Sequence, residues 1–184
     1  VIADLKGTVI ANGRPAVYRS QSTNHREATW FKSALATGSG DEFGFQSVHV
    51  SPLVGNRRVL VYSCKICSGG DAKGKVVGVL GVVFNWDDLA QKIVRATPIE
   101  PEKKSLTRVC IVDETGEVLA DTDERMLLEK LELPDRSEIF SRAKASALAM
   151  IEGKSTLVAH AQSPGFETYR TGWRSLVLER VAEA

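Results

Sequence analysis

The chain is short of cysteine, of long apolar runs and of charge of one sign, and each shortage excludes a class of protein. Its 184 residues include three cysteines, too few for a scaffold held together by disulfides. The longest apolar stretch, 76–84, contains two glycines and is much shorter than the roughly 18 residues that indicate a membrane-spanning helix. Because 24 basic residues balance 23 acidic ones, no one-sign field attracts nucleic acid, and we predict no nucleic-acid partner. What remains is the composition of a globular domain, with 43% hydrophobic residues.

Motifs of enzyme chemistry are also missing. His25, His49 and His160 stand singly, and the sequence contains no H-E-x-x-H, G-x-S-x-G or P-loop. The carboxylate pair Asp87-Asp88 stands where a helix is predicted to begin, so helix capping explains it better than catalysis. We therefore predict a protein that is not an enzyme, with no catalytic residues, no metal site and no cofactor.

One C-x-x-C motif, Cys64 to Cys67, leaves two interpretations open. Ser68 follows it where c-type haem attachment requires histidine. The motif lies at the end of a predicted strand, whereas a thioredoxin-like pair would lie at the start of a helix. Structural thiols or a possible disulfide between Cys64 and Cys67 are favoured, and a redox or metal role is the alternative.

An internal repeat is the most informative feature. Residues 2–11 read IADLKGTVIA and residues 111–120 read IVDETGEVLA. Each segment predicts a β-hairpin, because the aspartate can bind turn amides and the glycine can adopt positive φ. Four residues recur at matching places and indicate a duplicated architecture: Asp4, Gly7, Val9 and Ala11 return as Asp113, Gly116, Val118 and Ala120.

The order of elements after each hairpin supports the duplication. Helical signals at 28–36 and 87–95 enclose strand signals at 43–51, 58–66 and 75–86. The second half repeats a helix, signalled by an Asp135–Glu138 capping box and a shared apolar face up to Ala147, and ends in strands at 154–161 and 172–180. These signals predict an α+β fold of two PAS-like modules, each an antiparallel sheet with helices packed on it. Prolines and charges place the boundaries at 1–97, a linker at 98–106, and 107–184.

Several segments together resemble the double Cache domain, a tandem PAS-like sensor. The first-half segments are 4–11, 30–34, 48–52, 59–62 and 76–83, and those of the second half are 112–120 and Tyr169-x-x-x-Trp173. The resemblance implies a periplasmic or extracellular small-molecule sensor of a chemoreceptor, sensor histidine kinase or diguanylate cyclase. It also implies that the first module is membrane-distal, and that the full-length protein is membrane-anchored and homodimeric.

Residues typical of the amino-acid-binding branch of that family are largely replaced. The branch has arginine two positions before the helix tryptophan, where this chain has Ala28, and aspartate in the last strand, where it has Val83. A family tyrosine corresponds to His49, while Trp30 and Phe31 match. We therefore expect a small carboxylate or a neutral, partly apolar ligand, and not an ordinary α-amino acid.

The alternation of side chains along the predicted strands indicates which residues take the place of the family's ligand-binding arginine and aspartate. His49 and Ser51 share one predicted strand face, as do Val83 and Asn85. The predicted ligand-binding residues are Trp30, Phe31, His49, Ser51, Tyr62, Val83 and Asn85. A place in the core is the alternative for the three aromatic residues. In the second module, His160, Tyr169 and Trp173 are assigned to packing rather than to a cavity.

Two other classes of function stay open on the sequence. One is a cytoplasmic PAS-type module that binds a cofactor or a partner, which reduced cysteines would favour. The other is a redox protein that uses Cys64 and Cys67.

Overall fold

The chain folds into two compact units, Val1–Asp87 and Asp88–Ala184. The structure, a computed structural model, describes residues 1–165 and 169–181. Each unit contains one five-stranded sheet in which all neighbouring strands are antiparallel. The α+β fold of two PAS-like antiparallel sheets is therefore confirmed.

The first unit places one helix against its sheet. The sheet order is β2-β1-β5-β4-β3, and short 3-10 segments follow β3 and β4. The elements are β1 (Ile2–Ala3), β2 (Val9–Ala11), α1 (Thr29–Ala36), β3 (Phe43–Ser51), β4 (Arg57–Cys67) and β5 (Val76–Asn85).

The second unit repeats the same strand order, as β7-β6-β10-β9-β8. Helix α2 begins in the last two residues of the first unit, and a 3-10 segment, Pro101–Leu106, precedes the first strand. The elements are α2 (Trp86–Arg95), β6 (Thr107–Val112), β7 (Val118–Asp121), α3 (Arg136–Ile139), β8 (Lys144–Ile151), β9 (Lys154–Gln162) and β10 (Arg174–Arg180).

The two repeated hairpins have the same turn. In the first, Asp4 Oδ1 accepts hydrogen bonds from the backbone N–H groups of Lys6 and Thr8, both at 2.9 Å, and Gly7 has φ of 83°. The second turn makes the same pattern: Asp113 Oδ1 accepts from residues 115 and 117 at 2.8 and 2.9 Å, and Gly116 has φ of 88°. Each aspartate thus satisfies turn amides that the strands cannot reach.

Helix α1 closes the core of the first unit. Trp30, Phe31 and Ala34 are buried on the helix face that contacts β3, β4 and β5. The approach is close enough that a Cβ at Gly44 would lie 2.4 Å from Ser33 Oγ. Val61 and Val79 meet the helix from the sheet. The core thus lies between this helix and one sheet face, and burial of these apolar side chains stabilises it.

A buried ion pair supports the second unit. Asp121 is fully buried, and its two carboxylate oxygens accept from Arg108 Nε and a terminal nitrogen at 3.0 and 2.6 Å. The same Arg108 nitrogen donates to Glu129 Oε1 at 2.6 Å. Cys110 and Leu176 lie in the apolar core of this unit.

The predicted long helix between Asp135 and Ala147 is wrong. Helix α3 ends at Ile139, Asp135 has φ of 53° and makes no side-chain cap, and 144–151 is strand β8. Exposed and less exposed side chains alternate along β8, as expected of a strand, and every residue of β8 pairs with β9. Glu152 and Gly153, at φ of 50° and 75°, form the two-residue hairpin turn that the sequence interpretation took for a helix end.

The module boundary drawn from the sequence lies ten residues after the division between the two units. Gln91 and Arg95 of α2 contact the second unit, where Gln91 Nε2 donates to the carbonyl of Asp121 and Arg95 pairs with Glu124. Residues 101–106 of the predicted linker form the 3-10 segment. The limits 1–97, 98–106 and 107–184 stay a prediction.

Replacing Gly7 with alanine is expected to lower the free energy of unfolding by at least about 2 kcal/mol. A Cβ there would lie 2.4 Å from the backbone nitrogen of Arg26, and φ of 83° strains any L side chain. Gly13→Ala is the matched control, because a Cβ at Gly13 would have no atom within 4 Å. Urea denaturation followed by circular dichroism measures both; equal midpoints for the two variants would contradict the argument.

Candidate functional site

A cleft of about 280 Å³ lies at the end of strand β5 in the first unit. Its floor is made by β4 and β5, where Val59 pairs with Asn85 and Val61 with Val83. Directly paired residues project from the same face of an antiparallel sheet, so Val59, Val83 and Asn85 share one face. The cleft is lined by Arg14, Tyr18, Val54, Arg57, Val59, Val83, Phe84 and Asn85.

The loop after β2 supplies one wall of the cleft. Asn12 holds this loop from within: its Nδ2 donates to the carbonyl of Tyr18 at 2.8 Å and to Ser20 Oγ at 2.7 Å. Asn12 Oδ1 accepts from the backbone N–H of Arg14 at 2.8 Å, and the N–H of Tyr18 donates to the Arg14 carbonyl at 2.9 Å. These bonds fix the backbone that presents Arg14 and Tyr18.

A tight connection between β3 and β4 supplies the second cationic side chain. Gly55 and Asn56 have positive φ, and the N–H of Asn56 donates to the Ser51 carbonyl at 2.9 Å. Arg57 follows as the first residue of β4 and lines the cleft. The next residue, Arg58, faces away and its Nε donates to the carboxylate of Asp87.

The cleft has two positive charges, and none of its described lining residues is acidic. Arg14 and Arg57 are exposed, and neither forms an ion pair with any described residue. Guanidinium groups bind carboxylates through paired hydrogen bonds, which makes this arrangement suited to an anionic group. Tyr18 and Asn85 add neutral hydrogen-bonding groups, and Val54, Val59 and Val83 add an apolar surface.

Two of the seven predicted ligand-binding residues, Val83 and Asn85, line this cleft. Trp30 and Phe31 are each 1% exposed and belong to the core, with ring centroids 5.8 Å apart in an edge-to-face arrangement. A Cβ at Gly81 would lie 3.2 Å from the Trp30 ring, so the indole lies against β5 two residues before Val83. Trp30 Nε1 is buried without a hydrogen-bond partner among the described residues.

The other three predicted residues do not line the cleft. Tyr62 lies on the opposite sheet face, because it alternates with Val61, and its ring packs against Phe43, Phe45 and Phe84. His49 pairs with Val59 across a register shift in β3, and its Nδ1 lies 2.8 Å from the Ser47 carbonyl oxygen.

Ser51, the third of them, is buried where β3 ends. In the second unit His160 is buried as expected, with Nε2 2.7 Å from the carbonyl oxygen of Ile139. Sequence reasoning missed Arg14, Tyr18 and Arg57. The nearest available signals were the Gly55-Asn56 turn before Arg57 and the polar stretch after the first hairpin.

The C-x-x-C cysteines do not form the possible disulfide. Both lie in β4 and are free thiols. Three residues of strand separate their Cα atoms by about 10 Å, beyond the reach of a disulfide, and place their side chains on opposite faces. Burial raises the pKa of Cys64, and the neighbouring Cys67 raises it further, so the thiol is less reactive than a free one.

Neither a metal cluster nor a membrane-spanning helix occurs among the described residues. Within residues 1–165 and 169–181, no three His, Cys, Asp or Glu side chains come together as metal ligands. No helix in the same ranges has both the length and the hydropathy needed to cross a membrane.

Comparison with known proteins adds family and fold. The Cache domain family model matches residues 1–184, and no curated protein matches the chain. Three chemoreceptor ligand-binding domains have a similar fold. PctB of Pseudomonas aeruginosa, with L-Arg, is 15% identical at a TM-score of 0.63, over 97% of this chain and 69% of that one.

The other two domains are equally distant in sequence. CtaA of Pseudomonas fluorescens, with L-leucine, is 13% identical at a TM-score of 0.59, over 97% of this chain and 68% of that one. PctC of Pseudomonas aeruginosa, with GABA, is 16% identical at a TM-score of 0.63, over 97% of this chain and 72% of that one.

These structures overturn the expectation that the ligand is not an ordinary α-amino acid. PctB and CtaA bind L-Arg and L-leucine in domains of this fold. The expectation rested on Ala28 and Val83, which replace a family arginine and aspartate. It was wrong to treat those two positions as the sole source of charge, because Arg14 and Arg57 bring guanidinium groups from other elements.

We expect Cys110 to resist a thiol reagent in the folded chain. Burial raises the pKa of its thiol to about 12, whereas Cys64 and Cys67 are partly exposed. Labelling with dithionitrobenzoate at pH 8 should modify two thiols in the native chain and all three in denaturant. Cys110→Ala is the control: native labelling should stay at two thiols and denatured labelling should fall from three to two. Labelling of three native thiols at similar rates would contradict the assignment.

Proposed function

The chain belongs to the Cache domain family, and on that premise we propose that it is the extracytoplasmic sensor domain of a membrane-anchored signalling protein. Two five-stranded sheets with the same strand order, under one family model that spans 1–184, support the view that it is a double Cache domain. The module limits at 1–97 and 107–184, the membrane-distal place of the first and the periplasmic location are parts of this proposal. So is the absence of enzymatic activity.

The ligand we propose is a free amino acid or a close relative with a carboxylate group. Arg14 and Arg57 carry this proposal, since they are two guanidinium groups in one cleft with no lining carboxylate to neutralise them. The ligands of PctB, CtaA and PctC, which are L-Arg, L-leucine and GABA, all contain a carboxylate. Charge-assisted, bidentate hydrogen bonds would fix that group against the two arginines.

The remaining lining residues have separate roles in this proposal. Tyr18 and Asn85 would contact the polar part of the ligand away from its carboxylate. Val54, Val59 and Val83 would contact its apolar part and exclude water there. A volume of about 280 Å³ limits the ligand to a small molecule.

Signalling would follow from how the ligand changes the loop after β2. The loop backbone is held by Asn12, while its cationic side chain at Arg14 stays exposed. A carboxylate between Arg14 and Arg57 would join this loop to β4, so the bound and free states differ in how firmly the loop is held. Such a difference biases an existing equilibrium, which is what a receptor domain passes on.

The test is a thermal-shift screen of the chain with the twenty L-amino acids and GABA, followed by titration calorimetry. A ligand at one hundred times its Kd should stabilise the folded chain by about 2.7 kcal/mol. Arg14→Ala and Arg57→Ala should each weaken the affinity about tenfold or more, because each removes a charge-assisted hydrogen bond. The methyl ester of the ligand should bind less tightly by a similar factor.

The matched control is Arg19→Ala, an exposed arginine of the same loop that does not line the cleft. It should leave the affinity unchanged. The proposal fails if no compound of the screen stabilises the chain. It also fails if a ligand binds equally well to the wild-type chain and to the Arg14→Ala/Arg57→Ala double variant.

A further inference from the structure

The second unit contains a cleft at the place that corresponds to the first cleft. Thr156 pairs with Arg180 and Val158 with Leu178, as Val59 pairs with Asn85 and Val61 with Val83. This second cleft has a volume of about 250 Å³, and Thr156, Leu178 and Arg180 line it.

The correspondence extends to the other edge of the central strand. Five residues before Asn85, Leu80 pairs with Ile2; five residues before Arg180, Ser175 pairs with Ile111. Ile2 and Ile111 hold matching places in the repeated hairpins. The two clefts therefore occupy corresponding positions on their two sheets, although only the second is lined by acidic residues as well as basic ones.

Two cationic side chains of the second cleft have no acidic partner among the residues that the structure describes. Lys104 comes from the 3-10 segment before β6, and Arg180 is the last residue of β10. Both are exposed, and neither forms an ion pair with a residue within 1–165 or 169–181.

The other charged lining residues are two arginines, Arg108 and Arg125, and two acidic residues, Asp123 and Glu152. The lining residues Arg108 and Arg125 together face four carboxylates, which are those of Asp121, Asp123, Glu129 and Glu152. Asp123 is held loosely, with its Oδ2 3.9 Å from Arg125 and 4.0 Å from Arg108. Glu152 uses one oxygen, Oε1, at 3.1 Å from Arg125 Nη1.

Asp121 and Glu129 pair with Arg108 and Arg125 from outside the lining, so the four basic lining residues are balanced only when these two carboxylates are counted with Asp123 and Glu152. The cationic groups of Lys104 and Arg180 can bind an anionic group, and the carboxylates of Asp123 and Glu152 can accept further hydrogen bonds from a cationic group. A simple anion would be attracted by Lys104 and Arg180 but repelled by the two carboxylates. A simple cation would be attracted by the carboxylates but repelled by Lys104 and Arg180. A small molecule that carries both charges satisfies both pairs.

We propose that this cleft is a second binding site, specific for a small zwitterion with one carboxylate and one ammonium group. The carboxylate lies against Lys104 and Arg180, and the ammonium group lies against Asp123 and Glu152. Thr107, which also lines the cleft, has a buried hydroxyl oxygen without a hydrogen-bond partner among the described residues, and it is an additional polar group at the site. No acidic residue in the described part of the chain lines the first cleft, so the requirement for an ammonium group distinguishes the second site from it.

The experiment is a nitrogen-15 NMR titration of the chain, which reports each cleft separately. The probes are the twenty L-amino acids and GABA, with acetate as the anion-only control and ethylammonium as the cation-only control. At least one zwitterionic probe should shift the amides of Thr156, Leu178 and Arg180 in a saturable manner. Acetate and ethylammonium should need at least tenfold higher concentrations for the same shifts. If no zwitterion shifts these amides, or if acetate shifts them equally well, the second site is refuted.

Variants of the second cleft complete the test. Arg180→Gln and Asp123→Asn should each weaken zwitterion binding there at least tenfold, while Lys144→Gln, an exposed change on β8 outside the cleft, should not. Saturation read at Val83 and Asn85 should be the same in all three variants. The Arg14→Ala/Arg57→Ala variant should lose the shifts at Val83 and Asn85 and keep those at Thr156, Leu178 and Arg180. Failure of one site can therefore be told from failure of the other. Unchanged zwitterion affinity at Arg180 in both Arg180→Gln and Asp123→Asn would overturn the proposal.

Discussion

Antiparallel pairing of β4 with β5 is the interaction on which the first unit depends. Its register places Val61 and Val79 towards α1, and it places Val59, Val83 and Asn85 together at the floor of the cleft. A shift by one residue would exchange these side chains with Tyr62 and Phe84, which lie on the other face. The same pairing therefore determines both which side chains form the core and which line the cleft.

Charge in the cleft comes from elements outside that pairing. Arg14 depends on the amide of Asn12, and Arg57 depends on the left-handed turn at Gly55 and Asn56. The sheet supplies the floor of the cleft, and short loops supply its charged groups. This division is common in binding proteins, because loops can change without loss of the core.

The sequence predicted the fold well where local chemistry determines structure. Asp4 and Gly7 determine their turn directly, so the repeated hairpin, the order of helices and strands that follows the first one and the Cache family could be predicted, and the family match confirms the predicted class of sensor domain. The alternation of side chains along a strand also predicted that Val83 and Asn85 share one face of the sheet, as they do. Prediction failed where two periods compete: alanines at 143 and 147 fit a helical face, but the chain from Lys144 alternates as a strand.

The residues of the candidate site were harder to predict from the sequence, for a different physical reason. Arg14 and Arg57 are far apart along the chain and belong to connections, so no strand or helix period relates them. His49 was assigned to the site by strand alternation and Tyr62 as a further polar side chain; Tyr62 lies on the opposite face of β4, and His49, beside a register shift in β3, does not line the cleft. Tertiary placement of loops is the information that a single sequence lacks.

The matched positions in the two sheets have a consequence for how such a protein can change over evolutionary time. Thr156, Leu178 and Arg180 occupy the places of Val59, Val83 and Asn85 without altering which backbone groups pair. The main-chain pairing is the same in both sheets although the side chains at these positions differ, so the backbone frame does not require one particular set of side chains there. A duplicated module of this kind is thus free to acquire a new chemical preference in one copy while the other retains the old one.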